Sequence, residues 1–215
     1  MAEETKKVPN VVINRLPRYY RYLGELLSQG ITKISSTELS HRMGVTASQI
    51  RQDFNFFGGF GQQGYGYNIE HLYNEIADIL RLKDGNTVII IGAGNLGRAM
   101  ANHPGFERRG FQITALFDKS PETIGKTING MTVMDVEDLE DYIKNNRVDI
   151  GVLTVPKAGV QEMAQRLVKS GVRAILNFSY AELDLPEEIA VENVHLSDPL
   201  MTLSYKLREM EMEAE

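Results

Sequence analysis

The stretch Thr87-Val-Ile-Ile-Ile-Gly-Ala-Gly-Asn-Leu-Gly97 decides the fold of this chain. Its four consecutive β-branched residues, 88–91, predict a strand that is buried on both faces. Gly92, Gly94 and Gly97 follow at the spacing of a dinucleotide-binding loop. The first glycine permits a tight turn, the second lets a pyrophosphate approach bare backbone, and the third lets the next helix pack on the strand. That helix, predicted to open near Asn95, directs free N–H groups at the phosphates.

An acidic residue follows at the distance that such a loop requires. Residues 111–117 predict a second strand that ends in Asp118, 21 positions past Gly97. A carboxylate there accepts hydrogen bonds from ribose hydroxyls and repels a 2′-phosphate, which favours NAD(H) over NADP(H). One alternative is a nucleotide-free α/β domain in which Asp118 caps a helix or a turn. Another is a coenzyme A-binding domain of related fold, although an acid at the ribose position favours the dinucleotide.

Strands alternate with helices through the rest of this half of the chain. Further strands are predicted over 149–155 and 173–178, so the fold class is α/β, with a doubly wound parallel sheet of the Rossmann type. Ligands of such sheets lie beyond the carboxyl ends of the strands. The residues predicted to contact the cofactor are Gly92, Ala93, Gly94, Asn95, Leu96, Gly97, Asp118, Lys119, Thr154, Val155, Pro156, Asn177, Phe178 and Ser179.

The composition of the chain excludes several classes of protein and of binding site. The 215 residues leave room for two modest domains, and the lack of cysteine excludes disulfides and thiolate metal sites. No apolar run reaches membrane-spanning length and the amino terminus lacks the apolar core of a signal peptide, so we expect a cytoplasmic protein without membrane or metal partners. The net charge is −6, yet residues 5–60 carry eight Lys or Arg against three acids. A local charge of +5 leaves −11 for the rest, which indicates a basic module joined to an acidic one.

The basic module has the pattern of a helix-turn-helix. A first helix is predicted to begin around 14–17 and to end at Gly30. Capping boxes that begin at Ser35 and Thr46 then open two short helices, 37–43 and 46–56, with Gly44 between them. The alternative is a three-helix structural domain whose polar face is only solvated.

The glycine-rich segment 58–68 follows, and its interleaved aromatic and polar residues favour the hairpin of a winged helix over a linker. Arg and Gln side chains suit hydrogen bonds to base edges or phosphates. The residues predicted to contact DNA are Arg15, Thr46, Ser48, Gln49, Arg51, Gln52, Asn55, Gln62, Gln63 and Tyr65.

The carboxy-terminal segment predicts one more helix. Ser197-Asp-Pro199 supplies an N-cap with proline in the first turn. The apolar residues Leu200, Leu203, Leu207 and Met210 fall on one helical stripe. Such a stripe is buried either on its own domain or on a second copy of the chain.

Together these blocks resemble the Rex family of redox-sensing transcriptional repressors. The resemblance runs nearly end to end, through Arg15-Leu-Pro-Arg-Tyr-Tyr-Arg-Tyr-Leu23, Ile50-Arg-Gln-Asp-Phe54, Gly64-Tyr-Gly-Tyr-Asn68, the glycine loop and Ile175-Leu-Asn-Phe178. The predicted segments are a winged-helix domain over 1–84, a Rossmann domain over 85–196 and a terminal helix over 197–215. The resemblance implies that this helix is exchanged between the subunits of a homodimer. It also implies binding to an AT-rich inverted repeat in double-stranded operator DNA, permitted by NAD+ and abolished by NADH.

The resemblance extends to a redox-linked switch contact. The family's arginine and aspartate match Arg21 and Asp198, whereas His103 stands where the family has a tyrosine. Histidine at this position would add sensitivity to pH. The wing departs from the family as well, because Gln62 and Gln63 occupy positions that usually carry Lys or Arg. Glutamine forms hydrogen bonds in a minor groove but cannot exploit its negative potential.

A dehydrogenase is the main alternative to a sensor. It needs an acid or base positioned beside the hydride acceptor. None of the four histidines falls in such a pattern, although His195 as a base is an alternative that sequence leaves open, and no Tyr-x-x-x-Lys pair of the short-chain type is present. We therefore predict a regulator with no catalytic residues.

Overall fold

The chain divides between Asp84 and Gly85 into two units in the computed structural model, which describes residues 8–58 and 66–213. The first unit is mainly helical. Its helices are α1 (Asn10–Ile13), α2 (Leu16–Ser28), α3 (Ser36–Met43), α4 (Ala47–Asn55) and α5 (Ile69–Ile79), and its two short strands are β1 (Lys33–Ile34) and β2 (Tyr67–Asn68).

The core of this unit forms where apolar residues recur at helical spacing. On α2, the residues Leu16, Tyr19 and Leu23 are fully buried, and they pack with Ile50 and Phe54 of α4. The predicted helices over 37–43 and 46–56 are confirmed to within one residue at their starts. Helix α1 and strand β1 were not predicted from the sequence.

The predicted wing lies mostly outside the described residues, and with it Gln62, Gln63 and Tyr65. Its last residues form β2, which pairs antiparallel with β1. Gly66 precedes this strand with φ of +72°, and a Cβ there would lie 2.7 Å from the carbonyl oxygen of Ile34. Glycine is therefore required where the chain enters β2.

The second unit contains a seven-stranded sheet. Its elements in chain order are β3 (Asn86–Ile91), α6 (Asn95–Ala101), β4 (Phe111–Asp118), β5 (Thr127–Ile128), β6 (Met131–Asp135), α7 (Leu139–Asn145), β7 (Ile150–Leu153), α8 (Lys157–Lys169), β8 (Ala174–Asn177), β9 (Ala190–Asn193) and α9 (Asp198–Glu213). The strand order is β5-β6-β4-β3-β7-β8-β9, and every pairing is parallel except that of β5 with β6. The predicted doubly wound sheet is confirmed, but β9 was not predicted.

Helices cover the two faces of this sheet unequally. Ile89 and Ile91 of β3 belong to a core that includes buried residues of α7 and α8, whereas Val88 and Ile90 belong to a core that includes Met100 of α6. On the second face an apolar cavity of about 280 Å³ is lined by β3, β4, β7, β8, β9, α6 and Phe106. Among the described residues that line it, only Glu192 is charged.

Helix α9 buries none of its residues in the chain. The predicted apolar stripe is exposed along its whole length, with relative exposures of 54% to 66% for its four residues: Leu200, Leu203, Leu207 and Met210. The alternative in which this stripe packs on its own domain is therefore not observed in the single chain.

Candidate nucleotide cleft and DNA-binding surface

The loop after β3 has the geometry that each glycine was predicted to provide. Gly92 adopts φ of +102°, and a Cβ there would lie 2.9 Å from the carbonyl oxygen of Thr154. At Gly97 a Cβ would collide with the carbonyl of Gly92. Gly94 is less crowded than Gly92 and Gly97, because a Cβ at that position would meet nothing within 4 Å. The loop is therefore closely packed at its two ends and open in its middle.

Neighbouring strands bring other predicted residues to the same edge of the sheet. Because β3 and β7 are parallel, Thr154 lies beside the loop: its hydroxyl donates to the carbonyl of Gly92 at 2.7 Å, and its N–H donates to the carbonyl of Ile91 at 2.9 Å. The N–H of Phe178 bonds in turn to the carbonyl of Leu153 at 3.0 Å. The carboxyl ends of β3, β7 and β8 therefore lie side by side at one edge of the sheet.

Asp118 ends β4 beside the loop. One carboxylate oxygen accepts from the N–H of Ala93 at 2.7 Å, and the other accepts from the N–H of Ser120 at 2.8 Å. The residue is only partly buried. Since each carboxylate oxygen has more than one acceptor site, these contacts orient the group and still leave capacity for ribose hydroxyls.

The residues at the end of β8 are largely internal. Asn177 is fully buried, and its amide donates to the carbonyl of Ala181 and to the side chain of Asn193, each at 2.8 Å. Its oxygen accepts from the N–H of Ser179. Asn177 and Ser179 thus shape the turn through contacts within the protein, while their contact with a cofactor stays a prediction. Sequence reasoning missed Arg98, whose Nε donates to the carbonyl of Ala93 at 2.8 Å.

The helix-turn-helix forms from local capping. The hydroxyl of Ser35 accepts from the N–H of Glu38, and that of Thr46 accepts from the N–H of Gln49. Gly44 closes α3 with φ of +64°. On α4 the predicted DNA contacts Ser48, Arg51, Gln52 and Asn55 are exposed together with the cap Thr46.

A buried carboxylate anchors α4 to α2. Asp53 has no exposed surface, and it accepts two hydrogen bonds from Arg15, at 2.6 and 2.7 Å, and one from the hydroxyl of Tyr19 at 2.8 Å. The amide of Gln49 adds a fourth at 3.1 Å. Arg15 and Gln49, both predicted to contact DNA, therefore direct these polar atoms at Asp53.

The electrostatics of this cluster follow from its contacts. Burial alone raises the pKa of the Asp53 carboxyl, but the hydrogen bonds from Arg15, Tyr19 and Gln49 outweigh burial and hold the pKa below its ordinary value. Burial, and then the hydrogen bond to Asp53, raise the pKa of Tyr19. Asp53 is thus ionised and Tyr19 is a neutral donor at pH 7.

The three residues of the predicted switch are exposed. The Nδ1 atom of His103 accepts from the N–H of Gly105 at 2.9 Å, and its ring packs on Phe106. The Oδ2 atom of Asp198 lies 3.6 Å from Nδ1 of His195. Arg21 belongs to the first unit, so the structure leaves the contact between these residues as a prediction.

Residues 8–58 and 66–213 lack two features, a metal-binding cluster and a membrane-spanning helix. No group of three His, Cys, Asp or Glu residues there could hold a metal ion. Nor does that part of the chain contain a helix long and apolar enough to span a bilayer.

Family models match the two units separately. Residues 7–55 match a model described as a putative DNA-binding protein N-terminus, and residues 83–181 match one described as a CoA binding domain. The second description names the related fold that the sequence left as an alternative to a dinucleotide-binding domain.

Nearly complete matches come from repressors. The chain is 55% identical over 212 residues to the redox-sensing transcriptional repressor Rex of Thermoanaerobacter pseudethanolicus, covering 99% of this chain and 94% of that protein. The crystal structure of RSP in complex with β-NAD+ and operator DNA matches with 54% identity and a TM-score of 0.90, covering 97% of this chain and 96% of that one. RSP in complex with β-NADH matches with 52% identity and the same TM-score, covering 96% and 97% of the two chains.

These relatives are named as repressors, which confirms the prediction of a regulator over a dehydrogenase. More than half of the residues are identical along almost the whole chain, and the fold is the same. The chain belongs to the Rex family of redox-sensing transcriptional repressors.

Proposed function

We propose that this protein is a homodimeric cytoplasmic repressor that binds an AT-rich inverted repeat in double-stranded operator DNA. NAD+ permits this binding, and NADH releases the protein. One observation carries the proposal: the same chain joins a helix-turn-helix with an exposed polar face to a glycine loop that is open at Gly94. Its relative RSP has been crystallised with β-NAD+ and operator DNA, and with β-NADH.

Each segment has one role in this proposal. Residues 1–84 bind DNA, residues 85–196 bind the dinucleotide, and residues 197–215 join two subunits. The pyrophosphate approaches the loop at Gly94, and Asp118 accepts hydrogen bonds from the ribose. The exposed side chains of α4 enter the major groove. A two-fold symmetric dimer presents two such helices to the two halves of an inverted repeat.

Helix α9 supports the dimer. Four apolar side chains at 54% to 66% exposure form a continuous stripe that water solvates poorly. Residues of β7, β8 and β9 line the apolar cavity of the sheet, so a second copy of α9 would find an apolar surface there. An exchange of this helix buries both surfaces at once.

Redox sensing requires that the two forms of the cofactor favour different dimer geometries. NADH and NAD+ differ by one positive charge and by the planarity of the nicotinamide ring. The distinguishing contacts therefore lie at the nicotinamide end, where Arg21, His103 and Asp198 would meet across the dimer. Because Asp198 begins α9, a change at this contact would be transmitted to the exchanged helix.

Binding to a fluorescent palindromic AT-rich duplex, measured by anisotropy, tests the function. We expect saturating NADH to release the duplex and saturating NAD+ to leave it bound. Equal affinity for DNA in the two cofactors would rule out redox sensing, and turnover of small alcohols or aldehydes with NAD+ would support the enzyme instead.

Replacing Arg51 with alanine is expected to weaken DNA binding by roughly tenfold, because one charged contact to DNA is worth about 1–3 kcal/mol. The affinity for NADH should not change, since Arg51 lies in the other unit. Arg108→Ala removes another exposed arginine, from the second unit, and serves as the control. A parallel loss of DNA and NADH binding in Arg51→Ala would indicate misfolding.

Replacing both Leu203 and Leu207 with glutamate is expected to convert the dimer to monomers in sedimentation velocity. The dimer would have to bury four carboxylates, two from each subunit, against apolar surface that offers them no hydrogen-bond or ionic partner. DNA affinity should fall together with the dimer. Leu203→Met with Leu207→Met keeps the stripe apolar and should remain dimeric. A glutamate variant that stays dimeric would show that this stripe is not the interface.

A further inference from the structure

The glycine loop is held by side chains from two directions. The carboxylate of Asp118 accepts from the N–H of Ala93 at 2.7 Å, and Nε of Arg98 donates to the carbonyl of Ala93 at 2.8 Å. These contacts fix two successive peptide groups, one on each side of Ala93. Asp118 comes from the end of β4, whereas Arg98 lies in α6, three residues after its start.

The arginine contact determines which way the next N–H points. No cis peptide occurs among the described residues, and in a trans peptide the C=O and the N–H point in opposite directions. By holding the carbonyl of Ala93, Arg98 turns the N–H of Gly94 away from itself. Gly94 is exposed, and the space that a Cβ would occupy there is open.

Arg98 also brings a charge that is not neutralised nearby. Residue 98 is exposed, and among the described residues no carboxylate lies within ion-pair distance of its guanidinium. Its Nε is occupied by the carbonyl of Ala93, which leaves the two Nη groups to face solvent or a ligand. A cation therefore stands beside the loop on which the proposed function places a pyrophosphate.

We propose that Arg98 is a positioning residue for the pyrophosphate of the dinucleotide. It orients the Ala93–Gly94 peptide so that the N–H of Gly94 can donate to a phosphate oxygen, while its own charge stays on the carbonyl side of that peptide. This inference rests on the proposed function, because it requires a pyrophosphate at the loop. It assigns Arg98 to binding of both redox forms, since NAD+ and NADH carry the same pyrophosphate.

A series of ligands separates this role from a structural one. ADP-ribose retains the pyrophosphate without the nicotinamide, and adenosine lacks phosphate. For Arg98→Ala in the full chain, we expect affinity for NADH and for ADP-ribose to fall by the same factor, roughly tenfold, as for the loss of one charge-assisted hydrogen bond. The affinity for adenosine, measured by competition against NADH fluorescence, should be unchanged, and so should the NADH to NAD+ affinity ratio.

Two variants complete the test. Arg98→Lys keeps the charge but loses the planar Nε donor, and it should recover part of the lost ADP-ribose affinity. Arg108→Ala removes an arginine before the amino end of β4, at the opposite edge of the sheet from the loop, and should bind like the wild type. Thermal unfolding of each variant reports whether the fold is intact.

Two results would overturn the inference. One is an unchanged affinity of Arg98→Ala for ADP-ribose. The other is a loss of adenosine affinity equal to the loss of ADP-ribose affinity, which would mean that the whole binding site is disturbed. Failure of the proposed function looks different. In that case the wild-type protein itself would bind neither NADH nor ADP-ribose, and the inference would fall with it.

Discussion

Replacing Arg15 with methionine is expected to lower the free energy of unfolding of the amino-terminal unit by about 3 kcal/mol, because the buried carboxylate of Asp53 loses its partly exposed cation. Asp53 has no exposed surface and would keep its charge without its cation. Tyr19 and Gln49 would still donate to it, but two neutral hydrogen bonds do not replace a bidentate guanidinium. Because Asp53 holds α4 to α2, DNA affinity should fall as well.

Hydrogen exchange read by mass spectrometry distinguishes the two units and is the suitable measurement. Peptides from α2 and α4 should exchange faster in Arg15→Met, while peptides from β3 and β4 keep their protection. The triple variant Arg15→Met, Tyr19→Phe and Asp53→Leu replaces both charges and the buried hydroxyl with apolar groups, and it should recover most of the stability. If the single variant were as stable as the wild type, the ion pair would contribute little and α4 would be held by its apolar contacts.

The same variant should change the dependence of stability on pH. The pKa of Asp53 is lowered in the folded protein, so the stability that it contributes is present above its unfolded pKa and is lost as the pH falls through the folded pKa. Without Arg15, the carboxyl loses the strongest of the hydrogen bonds that oppose burial, so its folded pKa should rise. The wild type and the variant should therefore become more similar in stability as the sample is acidified from pH 7.

The sequence predicted the parts of this protein in which the apolar pattern of a strand stands next to the residue spacing of a nucleotide-binding loop. Four β-branched residues followed by Gly92 predicted a central buried strand, and the spacing to Asp118 predicted the end of the neighbouring strand. Strand β9 could not be predicted in the same way. It has four residues, two of them polar, and it follows β8 without an intervening helix, so neither its pattern nor the usual strand–helix alternation indicates it.

Side-chain contacts between residues that are distant in sequence could not be predicted either. Arg15 and Asp53 are separated by 38 positions, and charged residues on amphipathic helices are usually exposed, so Arg15 was assigned to DNA rather than to a buried pair. Arg98 was missed because an arginine in the first turns of a helix has no special pattern. Its contact with Ala93 depends on the path of the loop, which only the three-dimensional structure supplies.

Replacing Gly94 with alanine is expected to reduce the affinity for both NADH and NAD+ by roughly 100-fold, the equivalent of about 3 kcal/mol of overpacking. Gly94 has φ of −71° and ψ of −167°, a conformation that alanine adopts without strain, and its Cβ would meet nothing within 4 Å in the protein. The added methyl would instead occupy the space through which a pyrophosphate reaches the backbone. Isothermal titration calorimetry with each cofactor measures the loss.

The position of the substitution makes this test specific. Gly97→Ala would place a Cβ against the carbonyl of Gly92 and would lose binding merely by disrupting the packing of α6 on β3, whereas Gly94→Ala should unfold at the same temperature as the wild type. Gly159→Ala, in α8 and also with open space around its Cβ, should bind both cofactors normally and gain up to about 1 kcal/mol in stability. If Gly94→Ala bound NADH as tightly as Gly159→Ala does, the pyrophosphate could not lie against this loop, and the cofactor would have to bind elsewhere.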